Sequence, residues 1–207
     1  MFSTLVMASD TNSVIEDISI AKKNGWYIGS NIRVINFGGS GETIVTNNNR
    51  DKSTDYIGNI QDMPINIKLG YITTGENRLE IYYQNDKIKD EIQNILTSSI
   101  LGFNYQFGLS SLSSTVILPF LRIGIGFGST TLEKRGRRNE EKSDIAAEFN
   151  TALGIYFKVF NNFDISTAIY RKSLSGITLD ENDDDDDKST TTVIVTNGVE
   201  IGFSYHF

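Results

Sequence analysis

The 207-residue sequence has no cysteine, only two prolines and a single histidine. Without cysteine there are no disulfides, no thiolate metal sites and no lipid-modified N-terminal cysteine. One histidine leaves little for imidazole-based catalysis or metal ligation. Alanine and leucine are scarce, which disfavours helices, while Gly, Asn, Ser, Thr, Phe and Tyr are plentiful. Long apolar runs are also missing. The longest is "VILPFL" at 116–121, far short of the roughly 18 residues that read as a membrane-spanning helix. Positive charge is in deficit: the net charge is −7, which argues against nucleic acid as a partner. The length fits one domain with long loops.

The lack of a spanning helix leaves strands as a way across a membrane, because a β-barrel span shows itself only as alternation over roughly 9 to 11 residues. Alternation recurs eight times, over 26–37, 63–73, 78–85, 99–109, 116–128, 147–160, 163–173 and 192–207. Each stretch is apolar at every second position over much of its length, the period of a strand with two unlike faces. The connections alternate as well. Long polar segments such as "NNNRDKSTD" (47–55), 86–98, 133–144 and 179–190 are interleaved with short ones at 74–77, 110–115 and 161–162. In an up-and-down antiparallel order this gathers all long loops at one end, the asymmetry of an outer-membrane barrel. Within 86–98, Ile88, Ile92 and Ile95 stand at helical spacing and predict a short surface helix.

Side-chain volume assigns the two faces. One set holds Trp26, Ile28, Ile67, Leu69, Leu101, Phe103, Ile123, Ile125, Leu153 and many others of their size. The opposite set holds Gly29, Asn31, Gly70, Gly102, Asn104, Gly124, Gly154, Ser166 and Gly202. The interior of an eight-stranded barrel suits the second set better. The expected fold is therefore all-β: a closed, antiparallel, up-and-down, eight-stranded transmembrane β-barrel, apolar outside and polar within. Residues 25–207 form the barrel. Residues 1–24 form an N-terminal segment, in which "LVMAS" is read either as the end of a truncated secretory signal or as part of a frayed terminus.

The inward face carries Arg33, Lys68, Glu80, Arg122, Lys158, Asp164 and Glu200. Charges sealed in a narrow lumen need partners, so Arg33, Lys68, Glu80, Arg122 and Glu200 are expected to form one network, with Glu200 beside Arg33 at the closing seam. Trp26, Tyr205 and Phe207 are candidates for an aromatic girdle at the short-turn rim, with Phe37 and Phe127 near the other. The run Asp183, Asp184, Asp185, Asp186 and Asp187 reads as a solvated loop. It is at best a weak Ca²⁺ or Mg²⁺ candidate, or a partner for Lys134, Arg135, Arg137 and Arg138. Gly38, Gly39 and Gly41 read as loop punctuation. Pro119 suits a strand start or bulge.

Four pieces, "GWYIGSNI" (25–32), "GFNYQF" (102–107), "LPFLRIGIGFG" (118–128) and "IGFSYHF" (201–207), together resemble the eight-stranded outer-membrane barrels, namely the OmpA-type transmembrane domain and its OmpX-like relatives. The resemblance implies a bacterial outer-membrane location with periplasmic termini. It also implies contact with outer-membrane lipid and lipopolysaccharide, no cofactor and a monomeric state. Phe203, Tyr205 and Phe207 would be the signal read by the barrel assembly machinery. The resemblance is to the barrel alone and not to a peptidoglycan-binding domain, so no cell-wall anchoring is carried over. Some relatives are lipid A enzymes built on a catalytic histidine. Here the only histidine, His206, falls on the inward face at the rim, so a non-enzymatic structural or surface-interaction role is expected. The alternatives are a narrow gated pore for ions or small solutes, a soluble lipocalin-like binder, and a lipid A enzyme.

Overall fold

A computed structural model describes residues 24–45, 59–60, 65–73, 75–89, 95–109, 117–134, 140–177 and 190–207. Among the described residues nine strands form one sheet: β1 (Gly25–Val45), β2 (Asn59–Ile60), β3 (Ile65–Ile72), β4 (Arg78–Lys89), β5 (Ile95–Gly108), β6 (Ile117–Lys134), β7 (Glu140–Phe160), β8 (Phe163–Ile177) and β9 (Thr190–His206). All pairings are antiparallel. Around the wall the order is β3, β1, β9, β8, β7, β6, β5, β4, and β4 returns to β3, so the sheet closes on itself. The short β2 pairs with β4 beyond β3 and shares the stave of β3. The wall therefore has eight staves, as the eight alternating stretches predict.

Alternation is what closes the sheet, because it gives every strand one face for the lumen and one for the exterior. Trp26, Ile28, Ile67, Leu69, Ile81, Leu101, Phe103, Ile125, Leu153 and Ile169 are all exposed on the outside. Asn31, Lys68, Glu80, Gln84, Asn104, Arg122, Asn150, Ser166, Glu200 and Ser204 are buried inside. This inverts the soluble pattern. The outward apolar band runs from Ile117 to Phe127 on β6. Ten steps at about 3.3 Å, tilted by about 40°, give a belt about 25 Å tall, the height of a lipid-facing band.

The short connections share one end. Between β3 and β4 the chain reverses through Gly75 and Glu76, both at positive φ (89° and 66°), closed by Thr73 N–H donating to the Asn77 carbonyl at 2.8 Å. Residues 161–162 form the two-residue turn from β7 to β8. Phe207 N–H donates to the Trp26 carbonyl at 3.1 Å, which places the start of β1 and the end of β9 side by side at this same rim. Pro119 lies one residue before the β5 ladder begins at Phe120, and its carbonyl accepts from Leu109 N–H. Its missing donor thus costs the ladder nothing.

Three expectations are corrected. The helix expected from Ile88, Ile92 and Ile95 does not form where the chain is described: Ile88 lies in β4 and Ile95 in β5, and Ile92 falls outside the described residues. Gly38, Gly39 and Gly41 are not loop punctuation but part of β1, which pairs with β9 as far as Val45. The segment 133–144 is mostly strand, since β6 runs to Lys134 and β7 begins at Glu140. The physical reason is common to all three. Alternation reports where one face is apolar, and beyond the belt the ladders continue with polar side chains on the outside. The aspartate run 183–187, Arg135, Arg137, Arg138 and the segment 1–23 lie outside the described residues.

Candidate functional site: the charged lumen

The lumen is filled, and its contents change along the axis. At the short-turn end the Arg78 guanidinium lies 3.7 Å from the centre of the Tyr156 ring and 5.2 Å from that of Tyr27. Its Nη2 donates to Asp164 Oδ2 at 2.6 Å, and His206 Nε2 meets the same oxygen at 2.8 Å. Lys158 Nζ pairs with Glu76 Oε1 at 3.2 Å. The single histidine thus sits at the rim in contact with an acid.

The middle holds two ion pairs. Lys68 Nζ lies 3.0 Å from Glu80 Oε1. Glu80 also accepts from Tyr27 Oη at 2.7 Å and from Asn104 Nδ2 at 3.1 Å. Arg122 Nη1 donates to Glu200 Oε1 at 2.7 Å, and Asn31 Nδ2 reaches that oxygen at 3.2 Å.

Above them a second cluster is centred on Asp86. Its Oδ2 accepts from Arg33 Nη1 at 2.9 Å, Lys172 Nζ at 2.6 Å and Gln84 Nε2 at 2.5 Å. Lys172 also meets Glu148 Oε2 at 2.5 Å, and Tyr82 Oη donates to Glu148 Oε1 at 2.9 Å. A cavity of about 10 Å³ remains here, bordered by Arg33, Arg122, Glu148, Asn150, Lys172 and Glu200. That is room for about one water molecule. Toward the long-loop end the filling turns apolar, with Leu96, Ile100, Ala146, Leu174 and Ile194 buried against Tyr82.

The favoured partner for Glu200 is corrected. Arg33 and Glu200 stand opposite each other in the β1–β9 ladder, yet their ion pairs go elsewhere, Arg33 to Asp86 and Glu200 across the lumen to Arg122. The five expected charges therefore do not form one network. They divide between the middle pairs and the Asp86 cluster. Arg33 turns to Asp86 because β4 runs past residue 85 and supplies a carboxylate there, while Arg122 and Asn31 together satisfy Glu200.

Sequence reasoning missed Arg78, Asp86, Glu148 and Lys172. All four share the parity of inward neighbours, with Arg78 and Asp86 in phase with Glu80, and Glu148 in phase with Ala152. That parity was the available signal. It also missed the large inward rings, four of which lie opposite a glycine. Tyr27 faces Gly70, Tyr82 faces Gly102, Phe120 faces Gly154 and Tyr170 faces Gly198. In each pair the ring occupies the space a Cβ on the glycine would need. Covering a cross-strand glycine with an aromatic ring both packs the lumen and pins the register.

On the rim, Trp26, Tyr205 and Phe207 are exposed on the outer face, with Tyr205 and Phe207 packed edge to face at 5.7 Å. Phe203 lies higher on the same face, stacked on Phe163 at 6.4 Å. Phe37 and Phe127 are exposed at 65 % and 63 %.

No protein-family model and no curated protein matches the chain. Among solved structures, the chain is similar to Neisserial surface protein A, with 12 % identity over 88 % of this chain and 97 % of that one, at a TM-score of 0.48. It is also similar to the outer membrane protein OprG from Pseudomonas aeruginosa, with 10 % identity over 91 % and 99 % and a TM-score of 0.46. The outer membrane protein AlkL, whose structure was determined in DMPC lipid bilayers, matches with 12 % identity over 100 % and 97 %, at 0.44.

Proposed function

We infer that the protein is a non-enzymatic integral barrel of a bacterial outer membrane, acting as a closed scaffold that holds its loops at the surface. The observation that carries this reading is the inverted wall. Large apolar side chains cover the outside over about 25 Å, while ion pairs fill the inside. Only lipid makes such an exterior stable, since a contiguous apolar surface of this size is not left in water. The short-turn rim with Trp26, Tyr205 and Phe207 is the periplasmic end, because outer-membrane barrels keep short turns there. Both ends of the barrel domain then lie in the periplasm. Phe203, Tyr205 and Phe207 serve as the assembly signal, and outer-leaflet lipid covers the belt.

The filled lumen supports a scaffold rather than a pore. The buried charges are held in ion pairs and small clusters, and the outer half is closed by Leu96, Ile100, Leu174 and Ile194. The localisation test is cell fractionation with alkaline carbonate washing. Retention in the outer-membrane pellet is expected, and release with the periplasmic contents would overturn the membrane reading. Removing Phe207 is expected to lower the fraction inserted. Undiminished insertion would remove that residue's signal role.

A further inference from the structure

The small cavity between the middle ion pairs and the Asp86 cluster is bordered by polar atoms that nothing satisfies. Asn104 Oδ1, Asn150 Oδ1, Arg122 Nε and Tyr170 Oη all lack a hydrogen-bond partner among the described residues. All four residues are buried, and Asn150, the most accessible of them, is only 7 % exposed. A buried polar atom without a partner is destabilising. Four of them around one cavity point to a shared partner.

The local sequence makes the gap and aims these atoms at it. Gly124 on β6 stands between Asn104 on β5 and Asn150 on β7 in one row of the ladder. With no side chain at 124, both carboxamides lean over the glycine, where a Cβ would collide with them. The amide nitrogens are already committed. Asn104 Nδ2 donates to Glu80 at 3.1 Å, and Asn150 Nδ2 donates to Tyr82 Oη at 2.9 Å and to Glu148 Oε1 at 3.2 Å. The carboxamide oxygens are therefore left as free acceptors. Arg122 likewise spends Nη1 on Glu200 at 2.7 Å and keeps Nε as a free donor.

Charge and hydrogen-bonding capacity select the occupant. A metal ion or an ammonium would add charge beside Arg33, Arg122 and Lys172, and neither accepts a hydrogen bond from Arg122 Nε. An anion would lie beside Glu148 and Glu200 and would offer no proton to the two carboxamide oxygens. A water molecule donates twice and accepts twice. The cavity, at about 10 Å³, holds one such molecule, and buried waters make about two to four hydrogen bonds to groups of this kind. We propose that a single water is bound here, donating to Asn104 Oδ1 and Asn150 Oδ1 and accepting from Arg122 Nε and Tyr170 Oη. It ties Glu80 through Asn104, Glu200 through Arg122, and the Asp86 cluster through Asn150 and Glu148. The ion pairs that stand apart in direct contact are thus one network through the water. The inference rests on the lumen geometry and not on the membrane or scaffold reading.

The test is a crystal structure of the full refolded chain that resolves ordered solvent. One density peak is expected within about 2.7–3.2 Å of at least three of the four atoms. Crystals soaked in rubidium or bromide salts are expected to show no anomalous signal at this peak. Asn150→Leu, which keeps the bulk but removes the acceptor, is expected to lose the peak. Tyr170→Phe keeps the ring, carries less risk to folding, and is expected to lower the occupancy of the peak. No peak in the original protein would overturn the proposal. So would an anomalous signal from either ion at the site, or a peak of unchanged occupancy in the variants.

Discussion

Glu80 accepts hydrogen bonds from Tyr27 and Asn104 while pairing with Lys68, all four side chains being buried. Truncating it leaves a buried ammonium with no counter-charge, so Glu80→Ala is expected to destabilise the folded barrel by about 3–5 kcal/mol, whereas Lys68→Met combined with Glu80→Leu is expected to recover most of that loss. Urea unfolding in vesicles measures both, and equal losses in the two variants would show that the pair itself, not the stranded charge, carries the effect. The glycines opposite inward rings lead to a second expectation. A Cβ on Gly102 meets the Tyr82 ring across the ladder, and Tyr82 is held by Glu148 and Asn150. Gly102→Ala should therefore cost about 1–3 kcal/mol through overpacking, with Gly102→Ala and Tyr82→Phe together costing less than their sum. At this scale the sequence was legible in phase but not in pairing. Parity alone placed Lys68, Glu80, Arg122 and Glu200 inside. Parity says nothing of height along the axis or of reach across a lumen, and the partners Asp86 and Arg122 were decided by those.

Strand ends were the least legible feature of the elements. Reading alternation stopped β4 at residue 85 and β6 at 128, near where Tyr83 and Phe127 end the apolar belt, although the ladders continue to Lys89 and Lys134. The pattern marked the lipid boundary rather than the end of hydrogen bonding, because beyond that boundary both faces tolerate polar residues. The same distinction separates two substitutions on one strand. Ile123→Arg, mid-belt on β6, is expected to cost about 2–4 kcal/mol in a bilayer, and Ser129→Arg, six residues on, close to nothing at interface depth. Measured by urea titration in vesicles, equal costs at the two positions would mean that the belt does not end where the outward residues turn polar.

The whole molecule repeats one balance around its wall: apolar bulk outward, matched charge inward. Planar-bilayer recordings of the original protein are expected to show no sustained openings, since the Asp86 cluster and the apolar residues above it fill the section. Steady conductance would favour the pore alternative. Closure itself was the most legible global property, because eight two-faced strands in up-and-down order have few other ways to hide their edges. The seam that completes it joins the first strand to the last, where Asn31 and Glu200 bond across 169 positions of sequence. Until β9 arrives, β1 has β3 on one side and nothing on the other, and no subset of consecutive strands makes a ring. The barrel therefore has no stable half. Its folding is governed by one very distant contact, which makes it intrinsically slow, and a chain interrupted before β9 is left with two open edges and an exposed apolar wall, a substrate for proteases and aggregation rather than a smaller version of the same protein.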